Sequence, residues 1–399
     1  MIGNWQKIHQ RIIKRQVPHA ILSWRYLLPK QNRMVHLHRK TFLSAWADYP
    51  RILWCLIALY SYTTWYLYYA WRQVYLTWKN RSKVLFNEQG ISPWQQLKSL
   101  AALALLHSIP PHFYYQYQLH RFSEREWLNF IYTHELPHWH HMMSPNICAR
   151  SQHLMSHKHD FSLEMKRLGL PTIPSVIDVK RGRITEQQLF NRQSLFLKPE
   201  CGSRKEGCYA LSYHAETEQY HLYGNNVGEG LTQVQIQAII GQVASKQHYL
   251  IQPLLENHSL ITDRCQCDEL VTLRLITKLN EGKPKLVSAL LEVPVMASFN
   301  RTIPIGIELE KGTLLDMPEQ YLYLDKNAQQ LIKSLANFNL PLWPDVVSIA
   351  EKAHCHFTDI NSIGWDLAIT PLGVKLIEGN INWGVAPHQL IGYIPLSIN

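Results

Sequence analysis

The sequence predicts an α+β chain in which a helical, basic, aromatic-rich region precedes two lobes of mixed helix and strand. Three patterns predict it. Residues 365–370 and 374–377 read as strands and are separated by Pro371, Leu372 and Gly373, the punctuation of a turn. Residues 151–245 alternate helical and strand patterns and end in a helix over 232–245. Residues 1–150 carry basic stretches, an uncharged aromatic run and helical patterns over 94–107 and 123–135. The domain reading is 1–150, 151–245 and 246–399, the last with antiparallel strands and helices over 328–338 and 343–355.

At 399 residues the chain has room for two or three domains and a substantial core. Its net charge of +10 is unevenly placed: residues 1–150 hold 18 Lys/Arg against 5 Asp/Glu, and the remainder holds 22 against 25. The basic part favours anionic partners, but no nucleic-acid recognition module is visible and no nucleic acid is expected. Seven cysteines without a C-x-x-C pair argue against a disulfide framework or a zinc ribbon and suit a reducing, cytoplasmic home.

Asp366, Glu378 and Asn380 carry the strongest chemical signal. A hairpin turning at 371–373 brings Asp366 back towards Glu378, and Glu378 and Asn380, two residues apart on a strand, point to one face. The converging donors are all oxygen, which suits a hard cation such as Mg²⁺ bridging nucleotide phosphates. The bland alternative is a hairpin with polar ends.

Upstream, residues 194–199 form an apolar strand that delivers Lys198, followed by a loop containing Gly202, Ser203 and Gly207. Glycines let backbone N–H groups approach phosphate oxygens, though many ordinary hairpins have two. The stretch from Tyr249 runs as a strand into Gln252, Pro253, Leu254, Leu255 and Glu256. The Pro253 carbonyl and the Leu255 N–H could pair with a purine, and Glu256 or His258 could reach a ribose; alternatively this is an edge strand. Residues 268–277 alternate, with Thr272 and Arg274 on one face. Arg274 must pair with something negative, a structural carboxylate or a ligand.

The order and spacing of these pieces resemble the ATP-grasp superfamily, closest to the sugar-transfer associated ATP-grasp proteins related to α-L-glutamate ligases. A Pro-x-x-Tyr-Tyr element at Pro111–Tyr115 resembles one that precedes the catalytic domain in that group. The resemblance covers roughly residues 105–395 and implies two α+β lobes gripping ATP. It implies that Lys158 and Lys198 contact phosphates, that Gly202, Ser203 and Gly207 cover them, and that Gln252, Pro253, Leu254, Leu255 and Glu256 hold the nucleoside. Arg274, with Lys198, would act on the transferring phosphoryl group, and Asp366, Glu378 and Asn380 would hold Mg²⁺ or Mn²⁺. Where the family more often has Asp before the first lysine, this chain has Ser156-His157. The implied activity is an ATP-dependent carboxylate–amine ligase working through an acyl phosphate, joining an amino acid to a sugar of a surface polysaccharide or its precursor. A hydroxyl kinase on the same fold and a non-catalytic scaffold are the alternatives.

Residues 52–71 carry no formal charge and are long enough to span a bilayer, but half of them are of the Tyr, Trp, Ser and Thr kind that favours the head-group zone. They are read as a peripheral or buried aromatic helix that, with the basic residues around it, docks on an anionic membrane at the inner cytoplasmic face; a true span is the alternative. The string His134-Glu135-Leu136-Pro137-His138 matches a zinc-protease motif, but Pro137 should end the helix that such a site requires.

Overall fold

The computed structural model describes residues 33–46, 50–173, 177–179, 184–200, 207–224, 227–228, 230–294, 302–316 and 326–391. The chain divides into two compact units. One comprises residues 1–145, 319–323 and 384–399, and the other residues 146–318 and 324–383.

The first unit is helical. After Arg33–Trp46, one helical rod runs from Arg51 to Gln89, with a wider π segment at Trp65–Tyr69. The wide turn closes with the Ala70 N–H donating to the Trp65 carbonyl, so these two residues, five apart, both face inward. Trp65 Nε1 donates to the Ala104 carbonyl at 3.0 Å in the next helix, Pro93–Leu106. Gly90 ends the rod in the left-handed conformation, and Ser92 caps the following helix with Pro93 in its first turn. Leu100, Leu103, Phe113, Tyr114, Tyr117, Trp127 and Tyr132 fill the core. The Pro-x-x-Tyr-Tyr element is the one-turn helix His112–Gln116 in that core. Gln389, from the helix Ala386–Ile391, clamps both backbone groups of Ile131 at 2.7 and 2.8 Å.

Two expectations fail here. The helix over 123–135 is replaced by short 3₁₀ turns at Glu126–Asn129 and Thr133–Glu135, because Phe130 and Tyr132 take extended backbone. Pro137 does not end a helix but opens one, Leu136–Met143, where a missing N–H costs nothing. The zinc-protease reading is still excluded. Glu135 is buried, accepts from His38 Nδ1 at 2.9 Å and from the Tyr132 N–H at 3.1 Å, and acts as a structural carboxylate. Among the described residues no helix is long and apolar enough to cross a membrane.

The second unit holds two five-stranded antiparallel sheets with helices, the α+β architecture expected. The first has the order β1 (Ile177–Val179), β5 (Tyr249–Pro253), β2 (Leu195–Pro199), β3 (Tyr209–His214), β4 (Gln219–Gly224). The helix Gln233–Lys246, started by a Thr232–Gln235 capping box, buries Ile236, Ile240 and Ala244 against Leu195, Leu197 and Ile251. The strand at 249–253, which follows the 245/246 boundary read from sequence, thus lies inside the first sheet.

The second sheet has the order β10 (Gly373–Asn380), β9 (Ser362–Thr370), β6 (Thr272–Asn280), β7 (Lys283–Pro294), β8 (Thr302–Gly306). Trp365 anchors its apolar face: Nε1 donates to Thr277 Oγ1 at 2.7 Å, and Thr277 in turn bonds buried His354. Gly379 on β10 lies flat on this indole. A Cβ there would stand 2.7 Å from Trp365 Cζ3 and 2.9 Å from Met155 Sδ. Gly379→Ala is therefore expected to destabilise the protein by about 1–3 kcal/mol through overpacking, seen as a lower urea midpoint; an unchanged midpoint would contradict this packing.

Candidate functional site

The site is built on one face of the second sheet. Strand registers set Glu292 on β7 opposite Thr272, Arg274 on β6 opposite Asp366, and Asp366 on β9 opposite Glu378. Opposed residues share a face, so Glu292, Arg274, Asp366 and Glu378 form one charged row across four strands. This row depends on an irregularity. From Leu376 opposite Leu367, a regular ladder would set Ile377 against Asp366 and turn Glu378 away. The register shifts by one residue between Leu376 and Glu378, and this bulge returns Glu378 to the face of Asp366.

Arg274 is gripped from both sides. Nε and the Nη2 nitrogen donate to Asp366 Oδ1 and Oδ2 at 3.0 and 3.3 Å, and Nη1 lies 3.4 Å from Glu292 Oε1. These carboxylates, Asp366 first, hold the guanidinium pKa above its usual range. Burial pushes the Asp366 carboxyl up, and the charge of Glu378 adds to that against the pull of Arg274. Glu378 is also disfavoured by burial, but Lys158, Lys198 and the side-chain hydrogen bonds to Asn380 and Asp366 together outweigh it and hold its carboxyl below the usual range. Asn380 Nδ2 donates to Glu378 Oε1 at 3.2 Å, so the two share a face as the sequence implies.

The lysines come from elements outside this sheet. Lys198 is the penultimate residue of β2 and is buried; desolvation lowers its pKa, against the attraction of Glu378. Lys158 opens the helix Lys158–Arg167, its Nζ 3.9 Å from Glu378 Oε2 and 3.4 Å from the Pro199 carbonyl. The chain after this helix fixes it to the sheet: Gly169 turns in the left-handed conformation and the Leu376 N–H donates to the Pro171 carbonyl at 2.8 Å. Lys158, Lys198, Arg274, Asp366, Glu378 and Asn380 are thus brought together.

The remaining residues are placed as follows. Gly202 and Ser203 lie outside the described residues. Gly207 has φ +73°, and Tyr249 Oη donates to its carbonyl at 2.8 Å. Gln252 is buried opposite Phe196, the Leu254 N–H extends the β2–β5 ladder to Ser194, and Glu256 is exposed. The Leu255 N–H has no partner among the described residues. His258 serves as a helix cap, its Nδ1 accepting from the Leu260 N–H.

Two acidic residues escaped the sequence reading. Glu292 is a lone charge at the end of the apolar run Ala289–Leu291, a parity signal that could have found it. Glu200 follows Lys198-Pro199, is buried, and accepts from the His159 N–H at the start of the lysine-bearing helix; its Oε2 has no partner among the described residues.

The donor set fits a hard divalent cation: two carboxylates and a carboxamide, all oxygen. Among the described residues no three His, Cys, Asp or Glu side chains are grouped to hold a metal ion.

Two antiparallel sheets with this strand order belong to the ATP-grasp fold, the fold of a class of ATP-dependent ligases. The model of the sugar-transfer associated ATP-grasp family matches residues 162–396, and the chain belongs to that family. Lys158 lies just before the matched stretch. Similar solved structures include the D-alanyl-alanine synthetase A of Vibrio cholerae, at 15% identity and TM-score 0.36, covering 60% of this chain and 59% of that one. Another is the D-alanine–D-alanine ligase of Helicobacter pylori, at 13% identity and TM-score 0.37, covering 62% and 57%. A third is an N5-carboxyaminoimidazole ribonucleotide synthetase in complex with ADP, at 10% identity and TM-score 0.39, covering 61% and 51%. The chain thus spans less than two thirds of the length of these proteins. No curated protein matches it.

Removing the guanidinium should expose the row's charge. In Arg274→Met, Mn²⁺ is expected to raise the melting temperature more than in the wild type, since an added cation replaces the lost one. An equal rise in both would show that the cation and Arg274 do not share Asp366.

Proposed function

We propose that this chain is an ATP-dependent carboxylate–amine ligase. The observation that carries the reading is the meeting of Lys158 and Lys198 with Glu378, beside a sheet row that ends in Arg274 and Glu292. In this reading ATP lies between the sheets. The Pro253 carbonyl and the Leu255 N–H pair with adenine, flanked by Gln252 and Leu254, and Glu256 reaches the ribose. Gly202, Ser203 and Gly207 belong to the loop over the phosphates, whose charge Lys158 and Lys198 neutralise. Asp366, Glu378 and Asn380 would hold Mg²⁺ or Mn²⁺, which supplies charge stabilisation at the transferring phosphoryl group.

An oxygen of the substrate carboxylate attacks the γ-phosphorus, the bond to the bridging oxygen breaks, and ADP leaves. Arg274 turns from Asp366 to steady the phosphoryl group and then the acyl phosphate. An amine attacks the carbonyl carbon, phosphate departs, and the amine loses a proton as the amide forms. Positioning and charge do the work, and no covalent nucleophile of the protein is needed. The finer reading is an amino acid joined to a uronic acid or aminosugar of a surface polysaccharide or its precursor, at the inner face of the cytoplasmic membrane.

A screen of amino acids with sugar acids, read by ADP, phosphate and product mass, tests this. The proposal expects ADP and phosphate in equal amounts with an amide product. ADP without phosphate would instead mark transfer to a hydroxyl. Lys198→Ala is expected to weaken ATP binding by tenfold or more, about 1.4 kcal/mol; unchanged affinity by calorimetry would remove Lys198 from the site.

A further inference from the structure

The outer side of the rod Arg51–Gln89 carries an apolar stripe interrupted only by Thr63. Ile52, Leu56, Leu59, Leu67, Trp71 and Tyr75 all face solvent, with Ile52 and Leu67 78% and 81% exposed. Steps of three and four residues place them on one side, and Thr63, also exposed, fills the gap between Leu59 and Leu67. The π segment holds the stripe together: its wider turn takes up the drift that a plain α-helix would build up between Leu59 and Tyr75, and it keeps Trp65, Ala70 and Val74 inward. Beside the stripe is a shallow, open depression of about 540 Å³ lined by Cys55, Ala58, Leu59, Tyr62, Thr63, Tyr66 and Leu67, mostly apolar. Monomeric proteins rarely expose so long an apolar patch without an interaction to cover it.

Charge says which partner covers it. From residue 49 to residue 87 there is no Asp or Glu, while Arg51, Arg72, Lys79, Arg81 and Lys83 all carry positive charge. The stripe runs directly into the basic end, where Lys79 Nζ stands 5.9 Å from the centre of the Tyr75 ring. A second copy of this face would set like charges against like, whereas an anionic bilayer complements both parts: acyl chains for the stripe and phosphates for the lysines. Trp and Tyr at the margin suit the head-group zone.

We propose that the rod Arg51–Gln89 lies in the head-group plane of an anionic bilayer, with the stripe Ile52 to Tyr75 among the acyl chains and Lys79 and Lys83 on lipid phosphates. This deepens the membrane part of the proposed function, and the ligase chemistry does not depend on it. The apolar face immerses only to the depth of its side chains, the mode of an interfacial amphipathic helix.

Co-sedimentation of the full chain with vesicles of phosphatidylcholine, with and without phosphatidylglycerol, tests the proposal, with ATP affinity measured in parallel. The wild type should bind the anionic vesicles far more tightly than the neutral ones. Lys79→Gln with Lys83→Gln should weaken anionic binding by roughly tenfold to thirtyfold. Leu67→Ser with Trp71→Ser should abolish binding to both vesicles while ATP affinity stays at the wild-type value. Equal wild-type binding to both vesicles would overturn the proposal, as would unchanged binding in the Leu67/Trp71 variant. So would a vesicle-free dimer that this variant dissociates, since the face would then join two copies of the chain. Vesicle binding without ATP binding would count against the ligase reading alone.

Discussion

Asp366 is placed between a guanidinium and a carboxylate, and the geometry of the C-terminal site depends on that placement. Arg274 reaches it from β6 and Glu378 faces it from β10. Burial makes the Asp366 carboxyl hold its proton more tightly, and the charge of Glu378 on the same face adds to this. Arg274 relieves part of it. Lys158 and Lys198, brought by other elements, relieve more at Glu378. A divalent cation carrying nucleotide phosphates would both satisfy the remaining charge and release Arg274 towards the phosphoryl group. The chain's own cations and the proposed ligand would then act on the same set of oxygens.

The bulge at Ile377 makes this possible with little sequence. Without it, Glu378 would point into the layer where Trp365, Leu367 and Ile369 are buried. With it, Gly379 turns inward onto the Trp365 indole, and Glu378 and Asn380 flank it on the polar face. The glycine is required by the close approach of the ring.

Much of this was legible in the sequence because it rests on short-range rules. Pro371 and Gly373 mark the turn, alternation marks the strands, and Lys198 at the end of an apolar run announces a buried charge with a purpose. What was not legible depends on long-range pairing. The bulge leaves no local mark, since Ile377 is as good a strand residue as its neighbours. The strand at Tyr249–Pro253 joins the first sheet by pairing with β2, which no pattern within it reveals. Glu292 acquires meaning only when β7 is laid beside β6. Pro137 was misjudged because a proline in a helical pattern ends one helix or begins the next, and only the extended backbone at Phe130 and Tyr132 decides which.

A crystal structure with Mn²⁺ and a non-hydrolysable ATP analogue tests the central claim most directly. The account predicts an anomalous manganese peak bound by Asp366, Glu378 and Asn380, phosphates against Lys158 and Lys198, and Arg274 turned away from Asp366. Manganese bound elsewhere, or nucleotide bound with Arg274 still clamped on both Asp366 oxygens, would contradict it.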